Sequence, residues 1–105
     1  MTPRHGEVWL VDMGIAGKTR PSIILIADRL EAARSLIIYI PITTQNRGSE
    51  LEVSPGHPPF LDAESVANVQ AIGSRPSVRF ERRLGVVPPD DLLKVKAALS
   101  KACGL

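Results

Sequence analysis

Apolar residues come in short bursts along this chain, and only the last stretch spaces them at helical intervals. Residues 7–12 (EVWLVD) are rich in β-forming side chains and bounded by Gly6 and Gly14, which predicts a strand. Residues 13–20 hold Gly14, Gly17 and Lys18 and run into Pro21, the composition of a loop. The run 22–27 (SIILIA) is continuously apolar, as in a strand covered on both faces. Residues 28–35 have room for one or two helical turns, with Asp28 as N-cap and Glu31 three positions on. The segment 36–43 (LIIYIPIT) is the strongest β pattern. Its Pro41, lacking an N–H, belongs where no ladder bond is needed, near an edge or a bulge.

A polar turn over 44–49 leads to a short strand at 51–53. Residues 54–60 (SPGHPPF) carry three prolines and a glycine, an irregular surface excursion. Residues 65–72 (SVANVQAI) alternate imperfectly but predict a strand, with further short strands at 77–80 and 84–87. Pro88, Pro89, Asp90 and Asp91 then combine proline with acidic residues, the signature of a helix start. Leu92, Val95, Leu99 and Ala102 fall on one face, and Gly104 ends the helix. The pattern predicts an α+β fold, mainly β: a small twisted or barrel-like sheet with one terminal helix packed on it.

A chain of 105 residues makes one domain, expected over residues 1–105. Its 44% hydrophobic and 23% charged residues are an ordinary globular balance. The single cysteine, Cys103, excludes an internal disulfide and a cysteine-based zinc site. No apolar run reaches the roughly 18 residues of a membrane span and the first residues are not signal-like, so a cytoplasmic protein is expected. A net charge of +2 does not by itself indicate nucleic acid, but its distribution is uneven. Arg75, Arg79, Arg82 and Arg83 lie close together, and Lys18, Arg20, Arg34 and Arg47 fall in or beside loops. These make an anion-binding surface only where several converge.

No Walker-type phosphate loop, G-x-S-x-G or H-E-x-x-H motif is present. His5 and His57 stand far apart in sequence, and solvent exposure is expected of both. Three segments read together are more specific. Arg4-His5-Gly6-Glu7-Val8-Trp9-Leu10-Val11 places a basic residue, a glycine and an acid before an aromatic strand. Gly17-Lys18-Thr19-Arg20-Pro21 ends a glycine-containing loop in Arg-Pro before SIILIA, and Tyr39-Ile40-Pro41-Ile42-Thr43 ends a strand in Pro-Ile-Thr. A weaker match covers residues 62–72. In this order and spacing the segments resemble the MazF/PemK toxin family, over residues 4–72 and, in outline, the C-terminal helix.

The resemblance implies an SH3-like, bent β-barrel with a C-terminal helix, usually a homodimer. It implies cleavage of single-stranded RNA without metal or cofactor, and neutralisation by a cognate antitoxin. Arg20 and Thr43 match the family's catalytic arginine and threonine, and Glu7 an acidic position that contributes in some members. Lys18, Thr44, Gln45, Arg47, Asn68 and Gln70 are the expected RNA contacts. In such a reaction the substrate's own 2′-OH attacks, so the protein must stabilise a dianionic phosphorane. A planar guanidinium offers two parallel donors to phosphate oxygens, and a χ1-stiff threonine holds one more. An arginine is a poor base, since a guanidinium holds its proton far above neutral pH, and Glu7 is the matched residue with a basic carboxylate.

Plainer readings stand beside these. Arg20 suits an ion pair at a strand entrance, Thr43 a β-branched strand end with Thr44 its rival, Glu7 a solvated strand residue, and Trp9 the core. The sequence also departs from the family. The loop over 13–19 is short, and Asn68 and Gln70 occupy positions where some members carry Arg and Asp. A same-fold toxin that binds DNA gyrase, and a homologue that binds RNA or antitoxin without cutting, remain the alternatives.

Overall fold

The computed structural model describes residues 2–15, 18–28 and 35–105. Among these residues seven strands are formed: β1 (Glu7–Asp12), β2 (Thr19–Ile24), β3 (Leu36–Thr43), β4 (Glu52–Val53), β5 (Val66–Asn68), β6 (Gly73–Pro76) and β7 (Phe80–Val86). A helix, α1 (Pro89–Cys103), follows β7. All recorded strand pairings are antiparallel, in the order β4-β5-β3-β2-β1-β7, with β6 also on β3. The sheet is bent like a barrel but not closed. Register shifts in the β1–β7 ladder, between Val8 and Trp9 and between Leu10 and Val11, bend it further.

Both faces of the central strands are covered, which is why their sequences read as continuous apolar runs. Successive side chains point to opposite faces. Val8, Ile23, Ile40 and Ile42 pack on one side with Val95 and Ala98 of α1. Trp9, Val11, Ile24, Ile37, Tyr39 and Phe80 form a second cluster. There the rings of Tyr39 and Phe80 meet edge to face, 6.0 Å apart at 77°. The small Ser22 lies opposite Trp9 in the ladder, which leaves room for the indole. Helix α1 starts as predicted, with Pro89 in its first turn beside Asp90 and Asp91. It ends at Gly104, left-handed at φ 70°, with the Leu105 N–H donating to the Ser100 carbonyl. Ala98 takes the buried place expected of Ala102, which is exposed.

Several boundaries differ from the sequence expectation, for reasons of pairing. Thr19 and Arg20, expected in the preceding loop, belong to β2 together with Pro21, because Asp12, Val11 and Leu10 of β1 pair with them. The strand expected over 65–72 stops at Asn68 and turns through a 3₁₀ segment, Val69–Ala71. Residues 77–79 are a second 3₁₀ turn, and the strand lies before it, where Gly73–Pro76 pairs with β3 from Tyr39 to Leu36. GSRP has no β-forming pattern; the partner imposes its conformation. The helical turns expected at 28–35 fall on 29–34, outside the described residues, as does Arg34. Among the described residues no helix is long and apolar enough to cross a membrane.

Three of the four clustered arginines, Arg75, Arg79 and Arg83, are spent on the fold. Arg79 pairs with Asp12 at 2.9 Å, Arg83 Nε donates to Glu7 Oε2 at 2.6 Å, and Arg75 Nε donates to the Tyr39 hydroxyl at 3.0 Å. Glu7 is the busiest of these groups. Its Oε1 also accepts from Trp9 Nε1 at 3.0 Å and from the Arg4 N–H at 2.7 Å, so one carboxylate ties the chain entrance, β1 and β7 together. Burial works to raise the Glu7 pKa, but the bonds from Trp9, Arg4 and Arg83 outweigh it and hold it below the ordinary 4.5. The carboxylate form is therefore favoured by folding, a contribution present above pH 4.5 and lost as pH falls through the lowered folded value. Glu7→Gln should cost on the order of 1–2 kcal/mol at pH 7 by urea unfolding. The difference from wild type should shrink at about pH 3.

Phe60, from the proline-rich excursion, lies against Gly85 of β7, where a Cβ would run into the ring. Gly85→Ala should destabilise by about 1–3 kcal/mol through overpacking. Phe60→Leu in the same chain should restore part of that loss, measured as a non-additive double-mutant cycle in urea.

Candidate active site

The sheet face that carries Trp9, Ile24 and Tyr39 turns polar toward the ends of β2 and β3. Ser22 pairs with Pro41, Ala67 with Ile42 and Asn68 with Glu52. Continuing these registers sets Arg20 of β2 beside Thr43 of β3, and Asn68 of β5 beside Pro41. The result is a polar row across four strands on one face. Arg20, Thr43, Asn68 and Glu52 are all half-buried, and all line one concavity of about 440 Å³. Gln45, Arg47 and Gln70 complete its donor-rich wall.

The loop over 44–49 brings Gln45 and Arg47 to that wall, and a single carboxylate shapes it. Both oxygens of Glu52 accept from the Arg47 N–H at 3.1 Å, and Oε1 also accepts from the Ser49 N–H at 3.0 Å. The Gln45 N–H donates to Thr43 Oγ1 at 3.1 Å. That bond uses an acceptor site of the hydroxyl and leaves its hydrogen to be donated elsewhere. Among the described residues the Arg20 guanidinium makes no ion pair or side-chain hydrogen bond. A half-buried cation without a partner, next to a positioned hydroxyl, suits a phosphate.

Arg20 and Thr43 stand on a ridge. On its other side lies a second concavity of about 240 Å³, walled by Thr44, Phe60, Asp62 and Ser65. Beyond Thr44 and Ser65 the groove continues past Glu64 and the exposed His57.

Of the residues singled out in the sequence, Arg20, Thr43, Gln45, Arg47, Asn68 and Gln70 come together in the larger concavity and Thr44 in the smaller. Lys18 is exposed and lines neither. Glu7 lines neither concavity. Its neighbour Val8 pairs with Ile23, three residues along β2 from Arg20, on the order of 10 Å away. Its carboxylate is already occupied by Trp9, Arg4 and Arg83. His5 is half-buried rather than exposed, with Nδ1 3.0 Å from the Leu25 carbonyl oxygen. Glu52, Phe60 and Asp62 were not singled out as site residues. The available signals were Phe60, a large apolar residue stranded in a proline-rich excursion, and the weaker family match that begins at Asp62.

Comparison with known proteins agrees with this architecture. The family model of the PemK-like, MazF-like toxins of type II toxin-antitoxin systems matches residues 4–103. Among solved structures, an endoribonuclease in complex with its cognate antitoxin, from a mycobacterial species, is similar. It superposes with a TM-score of 0.85 at 24% identity, covering 98% of this chain and 96% of that one. The Mycobacterium tuberculosis toxin MazF-mt6 gives 0.80 at 22% identity, over 94% and 97% of the two chains. A MazE–MazF structure from Deinococcus radiodurans gives 0.82 at 22%, over 100% and 98%. These identities speak for the shared fold. With a family match over nearly its whole length, the chain belongs to the PemK-like, MazF-like toxins of type II toxin-antitoxin systems.

Proposed function

We propose that the chain is a toxin endoribonuclease of the cytoplasm that cleaves single-stranded RNA, with Arg20 and Thr43 at the scissile phosphate. The supporting observation is that, among the described residues, these two alone wall both concavities flanking the ridge. A phosphate on the ridge leaves one nucleoside to each side. The Arg20 guanidinium supplies two parallel donors to the non-bridging oxygens, and the Thr43 hydroxyl a third. These donors strengthen their hold as the phosphate becomes a dianionic phosphorane.

The nucleophile is the substrate's own 2′-OH, a chemistry that calls for no cofactor. Its product ends are a 2′,3′-cyclic phosphate and a 5′-OH. Gln45, Arg47, Asn68 and Gln70 present amide and guanidinium groups to the RNA, able to read unstacked base edges or hold the backbone. The partners that follow are single-stranded RNA and a cognate antitoxin, whose acidic or apolar segment would occupy the same groove, with the toxin acting as a homodimer.

Incubation of the purified protein with a long single-stranded RNA in EDTA tests this reading. Cleavage at a few discrete sites is expected. Arg20→Ala and Thr43→Ala should each lower the rate by about 10²-fold or more. Arg20→Lys should recover little, since an ammonium does not reproduce the paired donors. An RNA left intact by the wild-type protein would turn the reading to a toxin that binds without cutting.

A further inference from the structure

Cleavage through the 2′-OH requires a group that takes the proton of the attacking hydroxyl, and neither Arg20 nor Thr43 is a base at neutral pH. The carboxylates near the ridge are few. Glu52 faces the larger concavity, but its two oxygens accept three hydrogen bonds from the backbone of the loop they hold. Asn68 and Gln70 on the same wall have no proton-accepting group of useful basicity. Glu7 is bound to Trp9, Arg4 and Arg83, and Asp12 to Gly14 and Arg79.

Asp62 differs from all of these. It is exposed in the smaller concavity, which it shares with Arg20 and Thr43. Its Oδ1 accepts from the Glu64 N–H at 3.0 Å, and its Oδ2 has no hydrogen-bond partner among the described residues. No ion pair joins it to Arg20, so the two charges face the cavity without closing it. The other titratable groups on this side are Glu64 and His57, in the adjoining stretch of groove.

Resting on the ribonuclease reading, we propose that Asp62 is the general base of the reaction, and that the nucleoside bearing the attacking 2′-OH occupies the smaller concavity. The 2′-oxygen forms its bond to phosphorus as its proton passes to Asp62 Oδ2. The bond from phosphorus to the 5′-oxygen breaks on the donor-rich side, where Arg47 and the amides lie. The leaving oxygen takes a proton from water, and Asp62 returns its own to solvent. Charge thus sets the direction of the strand: the acceptor faces the group that must lose a proton, and the donors face the group that gathers negative charge.

Asp62→Asn isolates the base, because the amide oxygen still accepts the Glu64 N–H and keeps the local turn. The full-length protein and this variant are compared on a synthetic RNA spanning one mapped cleavage site, from about pH 4 to pH 8. Binding is measured in parallel with the same oligonucleotide carrying 2′-deoxyribose at the cleaved position. The expected result is a kcat about 10²-fold lower in Asp62→Asn, with deoxy-probe affinity unchanged and the acid limb of the wild-type rate profile gone. A variant within about threefold of wild type, or one that keeps the acid limb, overturns the proposal while leaving the ribonuclease reading intact. Failure of the wild-type protein to cut any RNA overturns that reading, and this proposal with it.

Discussion

The molecule is organised around β3, a strand that must satisfy three partners. One edge pairs with β2 throughout Ser22–Pro41, Ile23–Ile40 and Ile24–Tyr39. The other edge pairs first with β6, from Leu36 to Tyr39, and then with β5, at Ile42 and Thr43. Ile40 and Pro41 fall in the gap between those two ladders. A proline has no N–H to contribute there, so the one residue unable to donate sits where the sheet changes partners. That changeover lets β5 and β4 fold away from β6, and it creates the concavity whose floor is Pro41 and whose rim is Thr43. The proline anticipated near an edge or a bulge is thus inside the central strand, at the local edge made by the switch.

The same geometry explains why Arg20 and Thr43 are held firmly without being fully buried. Arg20 and Thr43 lie on strands whose inner portions are locked by Ile23, Ile24, Ile40 and Ile42, all essentially inaccessible to solvent. Side chains at strand ends inherit the position of that core, which limits their freedom more than a loop would. The loop bearing Gln45 and Arg47 has no such core, and Glu52 replaces it with backbone hydrogen bonds. Phe60 does the corresponding work for the smaller concavity by packing into the space left at Gly85.

Much of this was legible in the sequence where a residue's chemistry and its local pattern agree. EVWLVD and LIIYIPIT gave strands at the observed bounds, Glu7–Asp12 and Leu36–Thr43, because β-forming side chains fill both faces. The helix ends were legible in Pro89, Asp90, Asp91 and Gly104, whose backbone and charge preferences act locally. Arg20 and Thr43 were legible only through their motifs, Arg-Pro and Pro-Ile-Thr. What escaped depends on distant pairing. The β6 segment GSRP takes its conformation from β3, and the long β7 was visible only in its last residues because Glu81, Arg82 and Arg83 hide an edge strand among charges. Asp62 shares the smaller concavity with Arg20 and Thr43, residues far from it in sequence, a juxtaposition with no local signature.

Glu7 shows how misleading charge can be before its partners are known. As a carboxylate at the head of a motif it looked available for chemistry, and the arginines at 75, 79, 82 and 83 looked like an anion-binding patch. The fold sets three of those four cations against Asp12, Glu7 and Tyr39, where they brace the sheet. What the larger concavity offers a polyanion is Arg20 and Arg47, whose side chains make no ion pair among the described residues. A net charge of +2 therefore says little about the groove, because what a phosphate meets is set by which cations the fold leaves unpaired. The same reasoning separates the acids. Glu7, Asp12 and Glu52 hold structure together through their bonds, and Asp62, with one oxygen unengaged among the described residues, faces the smaller concavity.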